Sequence, residues 1–313
     1  MCIRDSDKDY LLRLATLLQQ TPDAAAVLSV CFSPIIARAS KPFGIPYISY
    51  TVDSPCSTLY SKTMEYPHNR LFLFDKQQLD KFGHRNLGNC FHTLLACDIE
   101  HFDNVTVSDT DMKKYGTDVS FVGSLYSEKN SYDDIADKLP AYMRGYVEGL
   151  CSAQKNVYGY NFIEDALTDE WVSDFVSTVG FDPLPADYET DLKGIIADTY
   201  LNCRCTELER KHTLDAVSRH FHVDLYTQSD SSMLPRVKNR GIADSERVMP
   251  KIFKCSKINL NITLRSIKSG VPQRALDIMG CGGFLMSNYQ PELAEYFIPV
   301  SYTHLRAHET LRH

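Results

Sequence analysis

Short apolar runs recur along this chain, each followed by residues with the mixed apolar and polar spacing of a helix. "AAAVLSV" (24–30) reads as a buried strand, and "SPIIARASKPFG" after it as a helix ended by Gly44. "IPYISYTVD" is a β-branched and aromatic strand that ends in Asp53. "RLFLFD" (70–75) is another, followed by the helix "KQQLDKFGHR" and the strand-like "CFHTLLAC". Strands alternating with helices predict a parallel sheet covered on both faces. Residues 102–117 are polar and aperiodic, which marks a linker at 105–117. "DVSFVGSLY" (118–126) then opens a second alternating region, and 132–220 reads as mostly helical. After it the strands resume with "HVDLYTQ" (222–228), "KINLNIT" (257–263) and "GGFLMSN" (282–288). The pattern predicts two α/β domains, at 7–104 and 118–299, the second carrying a helical insertion at 132–220.

Composition narrows the function classes. With 313 residues, 43% hydrophobic and 23% charged, the chain has the makeup of a soluble protein with room for two cores. No apolar run approaches the roughly 20 residues of a membrane helix. The net charge of −7 and the lack of a basic patch argue against nucleic acid as a partner. None of the ten cysteines forms a C-x-x-C pair, so they are expected to be reduced thiols of a cytoplasmic protein. The ends read differently. "MCIRDS" and "VSYTHLRAHET" translate a sequencing-library adapter and its reverse complement, so 1–6 and about 300–313 are expected to be assembly artefacts. On that reading the natural chain continues at both ends.

Candidate chemistry concentrates in "NITLRSIKSGVPQRALDIMGCGGFLMSNYQ" (261–290). Pro272 suits the first turn of a helix running to about Met279. Gln273, Arg274 and Asp277, spaced three and four apart, share one face. A helix N-terminus attracts anions through its unpaired N–H groups and dipole. Arg265, Lys268 and Arg274 cluster around this one, which fits a diphosphate with Asp277 placed to bind a ribose. A surface Arg274–Asp277 pair and a plain glycine turn fit the same residues equally well.

"VPQRALDIMGCGGFLMSNY" resembles the donor-binding segment of GT-B glycosyltransferases of the spore-maturation CgeB-like family. In relatives a conserved acid precedes a small-residue-Cys-Gly turn. Here "LDIMGCGG" puts Asp277 at the acid and Gly282 and Gly283 in the turn. A second acid often stands eight positions earlier, where this chain has Ser269. The resemblance extends through "MPKIFKCSKINLNITLRSIKSG", "DVSFVGSLYSEK" and "IPYISYTVDSP…NRLFLFDKQQ", the last like the uncharacterised N-terminal domain usually fused to CgeB-like transferases. It implies an α/β, GT-B-like fold of two Rossmann-like domains with parallel sheets facing a cleft, truncated at both ends. The second domain would hold a nucleotide-diphosphate sugar and the first a glycan, protein or small-molecule acceptor. Neither metal nor cofactor is implied. Ligands of open α/β sheets sit at the carboxyl ends of strands, which singles out Gly123, Ser124, Tyr226, Asn261, Asp53 and Asp75.

An inverting transferase needs a general base, and Asp53 in "YTVDSP" is the candidate, against an Asx-turn before Pro55. Asp75 is the rival, against a helix cap; His68 and His92 are weaker. Asp109–Thr110–Asp111 matches a metal-binding D-x-D pattern but lies in the linker. His220 and His222 lack a third ligand. The tyrosine-rich segment 142–162 is expected to be helical core rather than a sugar platform. Two rival functions remain, a non-catalytic nucleotide- or sugar-binding module and a nucleotide-binding enzyme of another class.

Overall fold

The computed structural model describes residues 5–129, 132–180, 188 and 191–298, with side chains from residue 8 onward. Residues up to 94 together with 167–196 form one compact unit, and 95–166 with those from 197 onward form a second. The helical segment read from sequence as one insertion is thus divided, its stretch 167–196 grouping with the first unit. Both units are α/β with a parallel sheet, consistent with a GT-B-like Rossmann-type fold.

The first sheet has the order β1 (Val27–Val30), β2 (Tyr47–Thr51), β3 (Asn69–Leu73), β4 (Cys90–His92). Tyr47, Leu71 and Leu73 point into a core shared with Ile36 and Ala37 of the helix Pro34–Ser40 and Phe82 of the helix Lys76–Phe82. Each such side chain contributes about 1.5–3 kcal/mol of burial. Burial alternates along β2 and β3, and on β1 Leu28 and Val30 are 70% and 69% exposed. The expected cover on both faces is therefore corrected for this sheet. Its strand order never reverses, so right-handed crossovers deliver successive helices to the same side.

The second sheet runs β7–β6–β5–β8–β9, with β5 (Thr117–Val122), β6 (Val223–Tyr226), β7 (Lys238–Asn239), β8 (Ser256–Asn261) and β9 (Leu285–Ser287). Its order does reverse at β5, which sends helices to both faces. Leu214 of the helix Asn202–Ser218 joins the core of Phe121, Leu225 and Leu260. Ile252 and Phe253 of the helix Met249–Cys255 and Ile278 of the helix Gln273–Gly280 form another core with Phe102, Tyr115 and Tyr226. β6 is accordingly buried at every position. The topological switch point lies between β5 and β8, where open α/β sheets place their ligands.

Two local expectations change. The stretch 102–117 holds the ends of one short helix, Ile99–Asn104, and the whole of another, Asp109–Tyr115. Ser108 and Asp111 form a capping box at the second, and Asp111 also pairs with Lys251 at 3.0 Å. The D-x-D carboxylate is thus a cap, held down to about 2 mainly by the Ser108 backbone N–H. The tyrosine-rich segment is not core at its aromatic positions: Tyr142, Tyr158 and Tyr160 are all exposed, while Met143, Val147 and Cys151 fill the interior. No described helix is long and apolar enough to cross a membrane.

Candidate functional site

Three backbone ends converge at the switch point. β5 runs out into Gly123, whose N–H donates to the Tyr226 carbonyl at 3.0 Å. β8 ends at Asn261, and the helix Gln273–Gly280 starts after Pro272, which is the N-cap residue and offers no side-chain cap. Gly123 has φ +148°, a conformation that disfavours any side chain, and a Cβ there would collide with the Arg274 guanidinium.

Arg274 and Arg210 form the electrostatic centre. The Arg274 guanidinium lies 4.8 Å over the Phe121 ring and donates to the Asn261 Oδ1 at 3.3 Å. Arg210, on the helix Asn202–Ser218, lies 5.3 Å from the same ring on its own approach and 4.7 Å over Tyr126. Its Nε donates to the Ile262 carbonyl at 3.0 Å and its Nη1 to the Ser124 carbonyl at 2.6 Å. Among the described residues neither arginine has an ion pair, and their hydrogen bonds go to neutral oxygens. Burial pulls both below their ordinary 12.5, Arg210 to about 9 with Arg274 adding repulsion, and Arg274 to about 10. Both stay cationic at neutral pH; Glu209 and Asp277 act on them at longer range, but among the described residues no carboxylate pairs directly with either guanidinium. Burying an unpaired ion costs several kcal/mol.

The loop after Gly123 is tightly organised. The Ser124 hydroxyl donates to Glu128 Oε1 and accepts the Tyr126 N–H, both at 2.7 Å. Tyr126 has φ +71°, a conformation rarely tolerated by an aromatic residue. Strain of this kind collects at functional sites.

The other expected donor residues separate into different roles. Arg265 is 8% exposed and pairs with Glu209 at 2.7 Å. Its remaining donors hold the Val157 and Lys155 carbonyls at 2.8 and 3.1 Å, and its guanidinium stacks 4.6 Å over Tyr158. It pins the segment after the helix Ala141–Gln154 and has no charge to spare. Lys268 pairs with Glu164 at 3.0 Å. The expected cluster of three cations at the helix N-terminus thus reduces to Arg274, joined by Arg210, which lies far off in the chain. Tyr226 gives its carbonyl to Gly123, while its ring belongs to the core and its hydroxyl has no hydrogen-bond partner. Burial pushes that phenol up to about 12.

Asp277 is 8% exposed and accepts from Gln273 Nε2 at 2.8 Å. Its pKa is raised, chiefly by burial. Gly282 and Gly283 lie at the far end of this helix, about 12 Å from its N-terminus at the usual rise. Gly282 takes φ +73°, and a Cβ on Gly283 would strike the Phe253 carbonyl and Asn259, so the pair serves the turn and its packing. Ser269, where an acid was expected, donates to the wholly buried Glu292 at 2.7 Å.

In the first unit Asp53 is exposed after β2, and its Oδ2 accepts the Cys31 thiol at 3.2 Å. Asp75 is buried and caps the helix Lys76–Phe82 by accepting the Gln77 and Gln78 N–H groups.

Residues 210–309 match the family model described as glycosyl transferase-like, less than half of the chain. The match begins at Arg210 and contains Asn261, Arg274 and Asp277. No curated protein and no solved structure matches the chain. This part of the molecule is glycosyltransferase-like and holds β6 to β9 of the second sheet.

Proposed function

We propose that the protein is a glycosyltransferase of the CgeB-like type that takes its sugar from a nucleotide-diphosphate donor. The observation that carries this reading is the pair of desolvated guanidiniums, Arg210 and Arg274, without a direct ion pair among the described residues, beside side-chain-free Gly123. A diphosphate brings negative charge to the pair, and glycine leaves room for the Arg274 guanidinium to stand against the backbone. Sugar transfer places further charge on the leaving diphosphate. Cations fixed beforehand in a water-poor site stabilise that charge without reorganising. In this reading no metal is needed for the task. Ser124 and Asn261 frame the phosphates, and Asp277, one turn inside the helix, receives the ribose hydroxyls. Lys268 and Arg265 support the site from their ion pairs, and Glu292 supplies an acid behind Ser269. Asp53 serves as base toward a hydroxyl acceptor if the reaction inverts.

The test is a ligand-induced thermal shift on the protein with UDP, GDP, ADP, dTDP, CMP, NAD and S-adenosylmethionine. A ligand that binds only the folded state raises the midpoint. The expected outcome is a shift with one nucleoside diphosphate that disappears in Asp277→Ala and Arg274→Gln. A folded protein indifferent to all seven overturns the donor site and leaves a non-catalytic module. A preference for NAD or S-adenosylmethionine moves the protein to another reaction class.

A further inference from the structure

Arg210 can receive an anion only if a neighbour moves, because the residue is 2% exposed. A guanidinium carries five N–H donors. Here three of them go to the Ile262 and Ser124 carbonyls. Two rings stand against it, Phe121 at 5.3 Å and Tyr126 at 4.7 Å. The remaining donors are shut away from solvent. These neighbours differ in their freedom. Phe121 is fully buried and packs with Leu214, Leu225 and Leu260, so moving it would break the core of the second sheet. The backbone before Tyr126 is tied down as well. Leu125 is fully buried and its N–H donates to Ser229 Oγ at 2.7 Å, while the Tyr126 N–H donates to Ser124 Oγ. The Tyr126 side chain alone is half-buried and in neither core of the second sheet.

We propose that Tyr126 is a displaceable cover of the two-arginine site: its ring rests on Arg210 while the site is empty and turns out into solvent when a diphosphate-type anion enters. The proposal rests on the reading of Arg210 and Arg274 as an anion site. Its backbone holds φ +71°, which an aromatic residue adopts only against strain. That conformation sets the ring over the guanidinium, where the attraction of cation for ring offsets part of the strain. An entering phosphate oxygen replaces this contact with charge-assisted hydrogen bonds, which are the stronger interaction.

The movement is a rotation about the side-chain bonds of one residue. The hydrogen bonds of Gly123, Ser124 and Leu125 stay in place, so the loop after β5 does not open. Between ligands the ring keeps water away from Arg210, which preserves the low-dielectric surroundings in which its charge acts most strongly. A strained residue beside an otherwise rigid site thereby acquires a task.

The test uses the full chain and inorganic pyrophosphate, with hydroxyl-radical footprinting read by peptide mass mapping. Oxidation of Tyr126 should rise several-fold when pyrophosphate is added, while the exposed Tyr142 and Tyr160 keep their rates. Calorimetry on the same sample reports whether pyrophosphate binds. Binding with a Tyr126 rate that is unchanged or lowered overturns the cover and leaves the anion site standing; no binding overturns both. A second arm needs no ligand and follows arginine modification by phenylglyoxal. Arg210 should react several-fold faster in Tyr126→Gly, where glycine takes φ +71° without strain. Tyr126→Phe keeps the ring and should react like wild type, and Arg265, buried in its ion pair, should stay unreactive in all three. Equal Arg210 rates in wild type and a folded glycine variant overturn the proposal. If that variant does not fold, the wild-type footprint decides alone.

Discussion

Arg265 and Arg274 are close in the chain and both withdrawn from water, yet their surroundings differ in one decisive respect. Arg265 faces Glu209 at 2.7 Å with both side chains buried. Arg274 faces Asn261, the Phe121 ring and, across the site, a second arginine. The first arrangement is electrically closed. It fixes the Lys155–Tyr158 stretch and asks for nothing from solution. The second has no direct ion pair among the described residues, with Asp277 and Glu209 acting on it only at longer range. Direct ion pairing, more than burial or residue type, separates the two cations.

The most damaging way to probe this contrast is Arg265→Met, which leaves Glu209 buried without its cation. Loss of one partner of a buried pair costs about 3–5 kcal/mol, so the denaturant midpoint should drop sharply or the protein should fail to fold. A midpoint unchanged within error would show that Arg265 is not structural. Arg274→Gln breaks no direct ion pair, though Asp277 loses a nearby cation, and its folding midpoint should stay nearer wild type than that of Arg265→Met. A hydrogen bond to a charged group is worth about 1.5–3 kcal/mol, so nucleoside-diphosphate affinity by calorimetry should fall about tenfold to a hundredfold. Equal stability losses for the two variants would erase the distinction between them.

The smallest expected effect concerns Asp277. The unfolded chain releases this proton near the ordinary 3.8, whereas burial makes the folded protein hold it to higher pH. The folded state thus binds more protons in that window, and stability falls as pH rises through it. Asp277→Asn should remove that decline and hold or raise neutral-pH stability, within about 1 kcal/mol, while weakening nucleotide binding. A variant that is less stable and binds normally would contradict both roles.

Much of the fold was legible because it rests on local patterns. "YISYT" and "RLFL" announce strands through β-branched and aromatic residues, and both appear as β2 and β3. The helix at 273–280 was readable from its proline and its apolar stripe. The capping box at Ser108 and Asp111 had a local signature too, one outweighed by the polarity around it. Strand order was not legible, since it depends on pairings between distant segments, and so the open face of the first sheet went unforeseen. The site was half legible for the same reason. Nearness in sequence suggested that Arg265 and Lys268 accompany Arg274, but a charge's partner is set in three dimensions. Glu209 and Glu164 claim those two, and Arg210 arrives from another helix.

Gly123 has a consequence for how this chain can vary. A β-carbon at Gly123 would fall 2.4 Å from the Arg274 guanidinium, which would have to shift, and φ +148° penalises any side chain placed there. Every amino-acid change reachable by a single base substitution in a glycine codon introduces a β-carbon. The position therefore has no neutral neighbours in sequence space. A lineage that altered it would have to move the arginine as well.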